Sequence, residues 1–119
     1  MDVQPAGLAL TPLLVEVEEA DATLRLRLEG EFDLAAVGVV ERALRRLSRA
    51  PVPRRVVFDL RGVSFLDLAG LRTILRVDAR ARSEPFEVVV VRPRGTASRI
   101  FTLTPVGDQL TVVNEPELA

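Results

Sequence analysis

The chain has 119 residues, 48% of them hydrophobic, and a formal net charge of −1 at pH 7. That length supports one domain with its own core, burying roughly two-thirds of the unfolded surface, and the charge balance gives no pull toward nucleic acid or an anionic membrane. There is no Cys and no His, and every one of the 16 basic residues is Arg, which excludes disulfides, Cys/His zinc sites, thiol or imidazole catalysis and lysine chemistry.

Residues 1–12 carry Pro5, Gly7 and Pro12 and read as a loose lead-in. Asp2 and the absence of a basic stretch do not fit a secretory signal. Residues 13–18 alternate, with Leu13, Val15 and Val17 on one face and Leu14, Glu16 and Glu18 on the other. Residues 23–29 alternate more cleanly, with Leu24, Leu26 and Leu28 inward and Arg25, Arg27 and Glu29 outward. With Glu19 to Ala22 as the turn, the pattern predicts a hairpin with one wet face. Glu16 and Glu18 then lie opposite Arg25 and Arg27, worth ~0.5 kcal/mol per pair.

Gly30 to Asp33 are expected to leave the strand, with Asp33 placed to cap the first helix. From Leu34 to Leu47 the residues Val37, Val40, Leu44 and Leu47 fall at helical spacing, and Pro51 and Pro53 end the element. Val56 to Leu60 read as a buried strand broken by Arg61 and Gly62. Asp67 is well placed as an N-cap, its carboxylate accepting from the free N–H groups of a first helical turn. The helix predicted over 68–82 turns Leu71, Ile74, Leu75 and Ala79 inward and sets Arg72, Arg76 and Arg80 four apart on another face.

Phe86 to Val91 form the most hydrophobic strand, expected in the sheet centre. A third helix is predicted over 96–104, with Ala97, Ile100, Phe101 and Leu103 inward and Gly107 at its exit. A last strand runs from Leu110 to Val113, and 114–119 read as a short tail. The order β-β-α-β-α-β-α-β predicts one α/β domain over 13–113. Its mixed sheet has a parallel core made by right-handed crossovers and packed against helices. No apolar run approaches the ~20 residues that span a bilayer. A soluble, cytoplasmic protein is expected. With five Phe and no Tyr or Trp, base-stacking platforms are poorly supplied.

The stretch Asp59-Leu60, Gly62, then Asp67-Leu68-Ala69-Gly70-Leu71 resembles the STAS domain family, the fold of bacterial anti-sigma factor antagonists. That family carries a strand ending in Asp-Leu, a Gly a little later, then Asp-Ser-Ser/Ala-Gly-Leu opening a helix. Gly30-Glu31-Phe32-Asp33 resembles its Gly-x-Leu/Phe-Asp at the end of the second strand. In the phosphorylated members the Ser directly after the Asp is modified by a partner kinase. Here that position is Leu68, which has no hydroxyl, so the family switch cannot work at this residue. Many members also continue past the last strand with another helix, which is expected to be shortened or missing here, at residues 115–119.

The expected partner-binding surface comprises Asp33, Asp67, Leu68, Ala69 and Gly70, which the resemblance implies, with Ser64 as the hydroxyl nearest the motif and Arg72 and Arg76 beside the motif loop, where they could meet an acidic patch. Each has a plainer reading. Asp67 and Asp33 are helix caps. Leu68 folds back on the sheet edge. Ser64 and Thr73 bond to local backbone, and the arginine stripe is a solvated helix face. Asp59 and Asp67 are two carboxylates near one strand end. No nucleophile and base pair accompanies them, so no catalytic residue, metal or cofactor is expected.

The function that the resemblance implies is capture of a kinase-like, ATP-binding anti-sigma factor, freeing a sigma factor. Any nucleotide would belong to the partner, since this chain has no Gly-rich phosphate loop. A homodimer is compatible with the fold. Two other readings stand beside it: a STAS subunit of a lipid-transport ATPase, and a sensor of a small anion or lipid.

Overall fold

The computed structural model describes residues 12–114. The lead-in expected over 1–12 and the tail over 114–119 thus lie, except for Pro12 and Asn114, outside the described residues. In chain order the elements are β1 (Leu14–Ala20), β2 (Thr23–Phe32), α1 (Val37–Leu44), β3 (Arg55–Leu66) and α2 (Leu68–Ala81). They continue with β4 (Glu87–Val91), α3 (Ile100–Leu103), α4 (Val106–Gln109) and β5 (Thr111–Val113). The strands make one sheet in the order β1-β2-β3-β4-β5. β1 is antiparallel to β2, and β2 to β5 run parallel. This is the expected α/β arrangement, a mixed sheet with a parallel core.

The hairpin forms as its alternation dictates. Leu24, Leu26 and Leu28 are fully buried, and the register sets Glu16 opposite Arg27 and Glu18 opposite Arg25. The turn is tighter than expected. Ala20 still pairs with Thr23, so only Asp21 and Ala22 bridge the strands, both at positive φ (52° and 63°). That is the mirror-image turn whose twist suits adjacent antiparallel strands. Arg27 meets Glu16 at 3.2 Å, while Arg25 leans away from Glu18 to within 4.0 Å of Asp59.

The core lies on one side of the sheet. Alternate residues Val56, Phe58 and Leu60 of β3 and Val88 and Val90 of β4 cluster with Val40, Leu44, Leu71, Ile74 and Phe101 from the helices. Each large side chain buried there contributes about 1.5–3 kcal/mol relative to exposure. Val57, Val89 and Val91 point the other way and form a separate small cluster with Val113. β4 is therefore buried on both faces, as its valine run implies, but β3 holds the centre, because β5 adds outside β4.

The chain departs from the expected boundaries where glycines predict breaks. β2 continues to Phe32 and β3 to Leu66, with register shifts between Arg27 and Glu29 and between Gly30 and Glu31. Irregular pairing absorbs the glycines instead of ending the ladder. Gly30 has φ +116°, and a Cβ there would lie 2.8 Å from the Pro12 carbonyl oxygen. The helical path after β2 is also segmented: a 3-10 turn at Leu34–Ala36, α1, then a 3-10 turn at Arg45–Ser48. Its predicted stripe does face the core, with Val40, Leu44 and Leu47 buried.

On α2 the buried face is rotated from the predicted one. Leu71 and Ile74 are buried, Leu75 is half-buried and Ala79 is exposed, while Thr73 and Val77 are buried instead. Thr73 tolerates this because its hydroxyl donates to the Ala69 carbonyl at 3.1 Å. The third predicted helix divides into a 3-10 turn at Gly95–Arg99 followed by α3, and Pro105 starts a separate α4. Proline cannot continue a helix in its interior but suits the first turn. Leu103 therefore ends up exposed, and Gly107 falls inside α4 rather than at an exit.

Candidate functional site

The ends of β2 and β3 lie side by side, with Phe32 opposite Leu66, and each strand turns directly into helical structure. Asp33 and Asp67 sit at these corners with nearly the same extended backbone (φ −119°, ψ −171° and φ −108°, ψ −174°). The residues after each aspartate are nearly the same too: Asp33-Leu34-Ala35-Ala36 and Asp67-Leu68-Ala69-Gly70. This short local repetition escapes a search for repeats the size of an element. The two aspartates differ in use. Asp67 caps α2, accepting from the Gly70 N–H at 3.0 Å, whereas the Asp33 carboxylate makes no cap and its backbone carbonyl accepts from Ala36 N–H instead.

The second corner is wedged against the first. Asp67 N–H donates to the Phe32 carbonyl at 3.4 Å. A Cβ on Gly70 would come within 2.5 Å of that same oxygen, so the start of α2 can approach β2 only because position 70 is glycine. Gly70 is accordingly buried, and Ala69 half-buried. Leu68, the first residue of α2, is 57% exposed. It does not fold back onto the sheet.

Two more apolar side chains stand exposed at this end, Leu34 at 74% and Phe65 at 49%. Neither stands out in the sequence as a surface residue. Leu34 reads as the start of an amphipathic stripe, and Phe65 falls after Gly62, where a loop is expected. The signal that finds them is the paired Asp-Leu corner and the β3 alternation carried on past Gly62. An apolar group at this end of the sheet, beside acidic Asp33 and Glu31, can take an apolar partner segment.

The remaining predicted residues separate. Ser64 is exposed and donates to the Gly30 carbonyl at 3.3 Å. The arginine stripe is not one surface. Arg76 meets Glu41 of α1 at 3.4 Å and Arg80 meets Glu84 at 3.0 Å, while Arg72 has no ion pair among the described residues. Among the described residues Asp59 shares no partner with Asp67. It is 1% exposed and receives Arg61 through Nε (3.0 Å), Nη2 (2.8 Å) and backbone N–H (3.2 Å). Burial alone pushes its carboxyl up, but the bonds from Arg61 and the charges of Arg61 and Arg25 outweigh that, holding it below the ordinary carboxylate value.

A recess of about 670 Å³ lies at the opposite end of the sheet, beside the β1–β2 turn, and none of the corner residues lines it. Glu18, Asp21 and Glu87 face Arg25, Arg54 and Arg55 there. Among the described residues no helix is long and apolar enough to cross a membrane.

Comparison with known proteins agrees with this architecture. The STAS domain profile matches residues 15–119. An anti-sigma factor antagonist from Mycobacterium paratuberculosis superposes with a TM-score of 0.75 at 25% identity, over 88% of each chain. The anti-sigma factor antagonist SpoIIAA in its unphosphorylated form gives 0.73 at 19% identity, over 88% of this chain and 92% of that one. The phosphorylated form of the Bacillus cell fate determinant SpoIIAA gives 0.67 at 19%, over 88% and 96%. With a five-stranded sheet of the same architecture and a profile match across nearly all of its length, the chain belongs to the STAS domain family.

Proposed function

We propose that this chain is a non-catalytic, protein-binding module of bacterial signalling, an antagonist that captures a kinase-like anti-sigma factor in the cytoplasm and so frees a sigma factor. The reading is carried by the exposed apolar trio Leu34, Phe65 and Leu68, which flanks the Asp33 and Asp67 corners. Solvent-facing apolar side chains concentrated at one end of a sheet mark an interaction surface. The fold likeness to anti-sigma factor antagonists supports the kind of partner. Leu68 occupies the position where phosphorylated members carry Ser. A phosphate there would add roughly −2 charge; Leu68 keeps this position uncharged and permanently competent to bind.

The test is affinity capture from native cell extract with the parent chain and with Leu68→Asp, read by mass spectrometry, followed by binding to the purified partner. The parent should retain an ATP-binding, kinase-like protein, and L68D should weaken that binding about tenfold or more, 1.4 kcal/mol. Melting of L68D should stay near that of the parent, because Leu68 is more than half exposed. Capture of a transporter ATPase subunit in place of a kinase-like protein would move the chain to the lipid-transport branch. Equal binding by L68D would take the docking surface away from this corner.

A further inference from the structure

The sheet face turned away from the helices holds a group of charges that partner capture at the corners does not use. Asp59 alternates along β3 with Val57 and Arg61, and the register brings Arg27 of β2 directly beside it. A single carboxylate oxygen, Asp59 Oδ2, has Arg61 Nη2 at 2.8 Å and both Arg25 Nη1 and Arg27 Nε at 4.0 Å. Three guanidiniums thus converge on one buried negative charge. The neighbouring positions on this face, Val57, Val89 and Val91, show that apolar side chains pack well here. A buried ion cluster is no better for stability than such packing.

Beside the cluster opens a recess of about 250 Å³, walled by Arg27, Arg61 and Arg94, the Gly62 backbone, Asp59 and Glu29. Arg94 follows β4, is exposed, and has no hydrogen bond or ion pair among the described residues. Asp59 is engaged by Arg61, and Arg27 also holds Glu16 at 3.2 Å. That leaves Glu29 as the acid in the wall without an ion pair among the described residues, sharing the recess with Arg94 and Arg27.

We propose that this recess is an oxyanion site, taking inorganic phosphate or the phosphate group of a small ester between Arg94, Arg27 and Arg61. Asp59 acts as the positioning residue: it fixes Arg61 and draws Arg27 inward, so their donors are set before the ligand arrives. The planar guanidinium fork suits a tetrahedral oxyanion, and charge-assisted bonds of this kind are the strong ones. A dianion also relieves the repulsion among the crowded cations. Gly62 gives room at the floor, since a Cβ there would meet the Glu29 side chain at 2.9 Å.

The test is a nitrogen–proton NMR titration of the full chain with inorganic phosphate, following arginine Nε–H groups and the Gly62 amide at ionic strength held constant with sodium chloride. Saturable shifts should appear at Arg27, Arg94 and Gly62. Arg94→Gln should weaken the midpoint about tenfold with an unchanged melting temperature, since Arg94 holds nothing in the described fold. Arg72→Gln, at the other surface, should leave the titration as it was. Glycerol 3-phosphate titrated alongside distinguishes the source: tighter binding than phosphate points to an ester, weaker binding to the free ion. The proposal is overturned if chloride alone reproduces the shifts, or if R94Q binds phosphate like the parent.

Discussion

Asp59→Asn tests how much a single buried carboxylate contributes to this fold. The side chain is 1% exposed and takes two side-chain bonds and one backbone bond from Arg61. An amide keeps one acceptor oxygen and turns an NH2 toward a guanidinium, so one of those bonds becomes a clash of donors. The net loss of a charge-assisted bond is ~1.5–3 kcal/mol. Arg25, only 16% exposed in its side chain, also loses its nearby countercharge, and breaking buried pairs costs ~3–5 kcal/mol. A loss of about 3 kcal/mol at neutral pH is therefore expected, a large share of the ~5–15 kcal/mol that holds a typical domain.

Urea unfolding reads this as a lower midpoint with an unchanged slope. The pH dependence supplies the sign. The folded carboxyl lies below its ordinary value of 3.8. Its contribution is present above that unfolded value and fades as pH falls through the folded one. The gap between parent and D59N should therefore be full at neutral pH and close in strong acid. A gap under about 1 kcal/mol at neutral pH, or one that stays constant into acid, would refute the charge-based account.

Gly70→Ala pushes a methyl against the Phe32 carbonyl, 2.5 Å from the new Cβ, and should destabilise by ~1–3 kcal/mol in thermal or urea unfolding. Asp67→Ala removes the α2 cap and should cost ~1 kcal/mol, with a loss of amide protection at Gly70. Ala22→Gly should stabilise by ~0.5–1 kcal/mol, because the left-handed penalty at φ 63° exceeds the entropy glycine adds to the unfolded chain. A lower melting temperature for A22G would show that the turn is not held in that conformation.

The sheet was legible wherever one rule decided. Leu24, Leu26 and Leu28 could face only one way, and the Val88–Val91 run could only be buried on both sides. Asp67 followed by a helical pattern carried its cap in the sequence. The failures share a cause: competition between local signals and tertiary pairing. Gly30 and Gly62 are breakers in isolation, yet β2 and β3 pair through both because the register shifts around them. Asp33 and Asp67 look alike as caps, and only the packing of the surrounding turns decides that Asp67 bonds Gly70 while Asp33 does not. Phe65 and Leu34 are hidden by the early end that Gly62 predicts for β3 and by a helical pattern that reads as continuous from Leu34. The Asp59 cluster draws on β2 and β3 at once, so no window of sequence contains it.

β3 outlasts β4. Their pairing ends at Asp59 opposite Val91, and Leu60 to Leu66 run on with β2 along one edge and the turn at Gly95–Arg99 along the other. The exposed corner residues therefore ride on a narrow ribbon, while most of the core is gripped by the broader sheet beneath. Opening the ribbon parts fewer neighbours than opening the body, so its amides should exchange through a cheaper, separate event. The same division bears on how such a domain diversifies. Substitutions at Leu34, Phe65 or Leu68 change what the tip presents and leave the leucine and valine layers untouched. On the docking role proposed above, drift at these few solvent-facing positions re-addresses the scaffold to new partners without touching its core.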